Sequence, residues 1–118
     1  MTANTPQTRK AKGRRFQQQI RDLLLETFKK LDPDDVRSTS MGASGADLLT
    51  SPACQKLFPY AVECKCQEHL NIWAALKQAE KNSTKKLKPI LFFKKSHSKK
   101  YVTLEAEEFM KLLKNSKK

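Results

Sequence analysis

From Phe16 onward apolar residues recur at helical spacing, at Phe16, Ile20, Leu23, Leu24, Phe28 and Leu31, and the pattern stops at Asp32 and Pro33. That spacing predicts an amphipathic first helix closed by a helix breaker. Val36 to Ser38 predicts a short strand. The segment STSMGASG that follows, with three serines and two glycines, predicts a loop, and it closes on a second strand over Ala46 to Thr50. Ser51, Pro52 and the stretch to Pro59 predict a turn or wide connection, after which Tyr60 to Gln67 alternates as a third strand. Asn71 is a candidate cap for a helix reaching Ser83, with Ile72, Ala75, Leu76 and Ala79 on one face and Trp73 beside it. Pro89 to Lys94 is a continuous apolar run suited to a buried strand, with Tyr101 to Leu104 as its neighbour across the turn KSHSKK. Glu105, Glu107 and Glu108 precede Phe109, Leu112 and Leu113, and Lys111 and Lys114 follow, a charge order that suits the dipole of a closing helix.

The elements therefore run αβββαββα, and the implied architecture is α/β, a mixed central sheet flanked by helices. At 118 residues the chain has room for one modest core. The domain is expected over 16–114, preceded by a flexible basic arm, 1–15, and followed by a basic tail, 115–118. No internal repeat or low-complexity segment interrupts this order.

Charge changes the picture. Lys+Arg number 24 against 12 Asp+Glu, a net charge of +12, so a polyanion is the natural partner. Charge alone does not choose between DNA, RNA and anionic lipid. No apolar run approaches the roughly 20 residues that span a bilayer, and Met1 to Lys12 offers no apolar stretch for a secretory signal. An intracellular protein with no membrane partner is expected. Three cysteines, Cys54, Cys64 and Cys66, cannot all pair, which fits a reducing compartment.

In the third strand Ala61, Glu63, Lys65 and Gln67 share one face, while Val62, Cys64 and Cys66 share the other. Glu63 and Lys65 then stand roughly 7 Å apart along the backbone. Asp47 follows Gly45 and Ala46, small residues that allow close approach, and pairing of the two strands would set Asp47 beside Glu63. Two carboxylates on one side suit a hard divalent cation such as Mg²⁺ or Mn²⁺. A lysine beside them can orient a water or meet developing negative charge, the requirements of phosphodiester hydrolysis. Taken as three letters, ExK has little specificity, and an ordinary solvated pair on an amphipathic strand would look the same.

The setting is more specific. A first helix opened by KGRRFQQQI, the strand VRS, a Ser/Gly-rich loop closing on GAD, and then AVECK together resemble the PD-(D/E)XK nucleases, most nearly the archaeal-type Holliday junction resolvases and related small phage nucleases. The likeness covers about Lys12 to Lys100. It implies a restriction-endonuclease-like core and a metal-dependent endodeoxyribonuclease, structure-selective or nicking, working as a homodimer. It further implies that Asp47 and Glu63 are metal ligands with the backbone carbonyl of Cys64, that Lys65 is the catalytic lysine, and that Ser40 or Ser44 contacts the scissile phosphate. Where the family commonly has a glutamate on the first helix this chain has Gln17, which can coordinate through its carbonyl but brings no charge.

Phosphate contacts are expected from Arg9, Lys10, Lys12, Arg14, Arg15, Arg37, Lys94, Lys95, Lys99 and Lys100. Gln78 reads as a solvated helix residue that a site could also recruit. Cys64, Cys66 and His69, with Cys54 and His97, invite a zinc reading, but CxC in a strand lacks the turn geometry of CxxC and sends both thiols to the apolar face. Trp73, Phe92 and Phe93 are expected in the core, and Leu25 and Phe58 on an exposed dimer surface. The rival function is a catalytically silent nucleic-acid binder on the same fold. A basic RNA-binding protein without an active site leaves the shared face of Glu63 and Lys65 unexplained.

Overall fold

The computed structural model describes residues 5–40 and 45–116. The first helix, α1 (Pro6–Thr27), is longer than its apolar stripe. Thr5 caps it, its Oγ1 accepting from the Thr8 N–H at 3.1 Å, and Pro6 follows in the first turn, where the missing amide costs nothing. The basic run 9–15 is thus helical and not an arm. Its Arg, Lys and Ala residues favour helix, and Gly13 alone opposes it, by about 1 kcal/mol. The expected arm, 1–15, is corrected from Pro6 onward; Met1 to Asn4 lie outside the described residues.

After a capped 3₁₀ turn (Pro33–Asp35), strand β1 (Val36–Ser38) pairs antiparallel with β2 (Leu48–Thr50), Arg37 opposite Leu49. A short helix, α2 (Pro52–Leu57), replaces the expected open turn. Ser51 caps it by accepting from the Cys54 N–H, donates its own hydroxyl to Asp35 at 2.6 Å, and thereby ties α2 to the 3₁₀ turn. Strand β3 (Tyr60–Cys66) lies parallel to β4 (Lys88–Lys94), joined by the crossover helix α3 (Ile72–Lys81). β4 in turn pairs antiparallel with β5 (Tyr101–Thr103), and α4 (Ala106–Ser116) closes the described chain. The order is a mixed three-stranded sheet and an antiparallel pair, flanked by helices, and α4 includes residues that the sequence assigned to a tail. None of the described helices is long and apolar enough to cross a membrane.

The core lies between α1 and the sheet. Phe16, Ile20 and Leu24 pack with Val36, Leu48, Tyr60, Val62 and Ile90. Phe58 belongs here too, its ring 5.0 Å from that of Tyr60, and Leu25 is half-buried against the same cluster, so neither offers the exposed dimer surface expected of it. Trp73 is the reverse case: expected in the core, it is 81% exposed. The opposite face of β3 meets α3, through Ala75 and Ala79. α4 is bound to the sheet by the Tyr60 hydroxyl donating to Glu108 at 2.8 Å, while Phe109, Met110, Leu112 and Leu113 remain exposed.

Candidate active site

Asp47 is fixed before any chemistry is considered. Gly45, two residues before it, has φ +93°, a left-handed conformation that residues other than glycine resist. The chain emerging from that turn places the Asp47 N–H on the Val62 carbonyl at 2.8 Å and the Asp47 carbonyl on the Thr39 N–H at 2.9 Å. The Thr39 hydroxyl donates to that same carbonyl. The Asp47 side chain accepts from the Cys64 N–H at 2.7 Å through Oδ2. One residue therefore links the two sheets, with its carboxylate held over β3.

Glu63 follows from strand alternation. Its neighbours Val62 and Cys64 turn towards α1, so Glu63 and Lys65 turn to the α3 side, where Glu63 is 2% exposed. The Lys65 ammonium stands 3.4 Å from Glu63 Oε2. Asn82, which caps the end of α3, donates from Nδ2 to Glu63 Oε1 at 3.3 Å. Sequence reasoning missed Asn82. An asparagine ending an apolar-striped helix does signal a cap, but nothing local indicates a partner 19 residues earlier.

The electrostatics match this crowding. Burial pushes the Glu63 carboxyl above its ordinary range and the charge of Asp47 adds to the effect, against the pull of Lys65 and Asn82. Burial likewise raises Asp47, opposed by the Cys64 N–H and by Lys65. The Cys64 thiol is pushed up by burial and by both carboxylates, which keeps it protonated. Two carboxyl groups raised together, with one ammonium between them, favour the arrival of further positive charge.

Gln17 is buried on α1 at 3% exposure, and its Oε1 accepts no hydrogen bond. A carbonyl left so costs about 1–3 kcal/mol until a donor or cation reaches it. Among the described residues no three His, Cys, Asp or Glu side chains gather as a metal cluster. Asp47 and Glu63 offer oxygen donors, the kind taken by a hard cation that keeps several of its waters. Cys64 and Cys66 are half-buried towards the core and Cys54 is fully buried.

Lys65 opens onto a cleft of about 620 Å³, walled on one side by Arg9, Lys10, Lys12 and Gly13 of α1 and on the other by the end of β3. Lys12 forms the divide to a second hollow that holds Arg15, Lys94 and His97, and it donates to Ser96 at 3.1 Å. Because the basic run is helical, its cations form a wall beside Lys65. Of the remaining residues expected at phosphate, Arg14, Lys99 and Lys100 are exposed, and Lys95 is exposed beside β4. Arg37 pairs with Asp34 at 3.5 Å on the surface. Ser40 is exposed, Ser44 lies outside the described residues, and Gln78 is exposed on α3. Compared with models of known protein families, with characterised proteins and with solved structures, the chain matches none.

Proposed function

We propose that this chain is a metal-dependent endonuclease of the PD-(D/E)XK type that hydrolyses DNA phosphodiester bonds. The observation that carries the reading is the grouping of Asp47, Glu63 and Lys65, with Lys65 lining a cleft walled by Arg9, Lys10 and Lys12. The element order and the parallel β3–β4 pair fit a restriction-endonuclease-like core. Asp47 and Glu63 would hold Mg²⁺ or Mn²⁺, with the Cys64 carbonyl beside them. Such an ion supplies a water of lowered pKa and neutralises phosphate charge.

The chain's own residues account for the rest. The α1 cations draw the phosphate backbone into the cleft, an attraction that weakens steeply with salt. Lys65, held by Glu63, places an ammonium where charge develops on the phosphate oxygens. Asn82 and the Cys64 N–H keep the two carboxylates in position, and Ser40 is exposed beyond β1. The setting is an intracellular, DNA-associated one, in which the exposed apolar face of α4 supports a homodimer; light scattering that finds a monomer with and without DNA removes that partner and favours a nicking enzyme.

Gln17 favours the alternative reading, a catalytically weak or silent DNA-binding protein, because it supplies a neutral oxygen where a carboxylate would strengthen the ion. Incubation with labelled four-way junction, flap and linear DNA, in Mg²⁺ and in chelator, separates the two. Metal-dependent cleavage of any of these supports the enzyme; binding without cleavage in either Mg²⁺ or Mn²⁺ supports the silent protein.

A further inference from the structure

The ends of the parallel strands carry a feature that the cleavage chemistry does not use. β3 and β4 finish in register, Cys66 opposite Lys94, and the Gln67 N–H donates to the Lys94 carbonyl at 3.1 Å. Beyond that point lies a third cavity, of about 340 Å³, lined by Leu70, Ile72, Phe93, Tyr101, Lys95 and Ser98. Its aromatic wall is a cross-strand pair. Phe93 and Tyr101 are register partners of β4 and β5, with ring centroids 6.0 Å apart and planes 29° from parallel. Phe93 is half-buried, whereas Tyr101 is 53% exposed.

The cavity adjoins the cleft. Gln67 and Glu68 line both it and the hollow that contains Lys65, and Lys65 and Gln67 stand on one face of the strand about 7 Å apart. Apolar side chains and a stacked aromatic pair, rimmed by lysine ammonium groups, match the chemistry of a nucleobase with its phosphate. Aromatic stacking of this kind accepts any base, and only a base free of the duplex stack can present its face. A fully paired duplex meets the lysines but not the rings.

We propose that the Phe93–Tyr101 cavity receives an unpaired DNA base, so that the cleft next to it takes a branch or end carrying single-stranded nucleotides in preference to uninterrupted duplex. The identification of the Lys65 cleft as the cleavage site rests on the proposed function; the binding of the base does not need cleavage. The test is therefore made in chelator. Anisotropy is measured with a blunt duplex and with a duplex of equal length bearing a single-stranded tail, and 2-aminopurine in the tail reports stacking.

The parent should bind the tailed DNA more tightly and quench the 2-aminopurine. Tyr101→Ala should weaken binding to the tailed DNA about 10-fold and restore the fluorescence, with blunt-duplex affinity unchanged, while Tyr101→Phe behaves as the parent. Tyr101→Leu keeps apolar cover over Phe93 and should lose the preference at an unaltered melting temperature, which separates stacking from folding. Equal affinity of the parent for tailed and blunt DNA overturns the proposal, as does a Tyr101→Leu protein that retains the preference and the quenching. Absence of cleavage in both Mg²⁺ and Mn²⁺ with these binding results intact would sink the nuclease reading and leave the base site standing.

Discussion

Replacing Glu63 by glutamine should stabilise the protein in chelator and at the same time weaken its response to divalent metal. Glu63 sits at 2% exposure, 3.4 Å from the Lys65 ammonium. At an effective dielectric constant near 20, that contact is an attraction of about 5 kcal/mol. Repulsion from the Asp47 carboxylate opposes it, and in the variant Lys65 can still face Asp47. The two Coulomb effects largely offset each other, so the desolvation of the buried carboxylate, several kcal/mol for an ion, decides the sign. Removing the charge should stabilise the chain by about 1–3 kcal/mol, roughly 4 °C in Tm per kcal/mol for a domain of this size. The pH dependence fixes the origin of the effect. Glu63 has a folded pKa raised above its unfolded one, so its contribution to stability is full below the unfolded pKa and is lost as pH rises through the folded value. The advantage of Glu63→Gln should therefore grow from acid towards neutral pH. With metal at ten times its Kd the parent gains about 1.4 kcal/mol and the variant much less. Thermal melts at several pH values, in chelator and in Mg²⁺ or Mn²⁺, measure all of this. A variant less stable than the parent in chelator at neutral pH, or one stabilised equally by metal, would refute the reasoning.

Gln17→Leu should raise stability in chelator by about 1 kcal/mol, because it removes an unmet buried carbonyl, and Gln17→Glu should lower the metal concentration for half-maximal cleavage; melts and metal titrations check the two. Asn82→Ala should raise the metal requirement roughly 10-fold without changing DNA affinity in chelator, the usual cost of losing a group that orients a ligand; an unaltered metal titration would reduce Asn82 to a helix cap. Alanine at Arg9, Lys10 and Lys12 should flatten the slope of log affinity against log salt by about 0.9 for each phosphate that is no longer neutralised, and a slope equal to the parent's would show that this wall does not touch DNA.

Strand β3 is legible because alternation is a local property: Tyr60 to Cys66 is fixed as a strand by its own residues, and Glu63 and Lys65 share a face as a result. The approach of Asp47 is not encoded locally, since it depends on the Gly45 turn and on hydrogen bonds to Val62 and Cys64 in the neighbouring sheet. The start of α1 is not legible because a basic run without apolar residues has no periodicity, and its helicity comes from the Thr5 cap and from propensity. α2 carried a readable signal, serine followed by proline at a helix start, in a stretch too short to show a stripe. Trp73 lies outside the stripe formed by Ala75 and Ala79, so its aromatic character does not bring burial. The Asn82–Glu63 and Phe93–Tyr101 pairings arise from tertiary register, which no window of sequence contains.

Single-turnover cleavage of a labelled branched DNA in Mg²⁺, with affinity measured in parallel in chelator, separates the residues proposed to perform chemistry, Asp47 and Lys65, from those that hold the DNA. Asp47→Asn and Lys65→Ala should each slow cleavage by about 10³-fold, the scale of losing a group that meets transition-state charge, with affinity within about twofold of the parent. A folded variant of either kind that cleaves at near the parental rate would contradict the account.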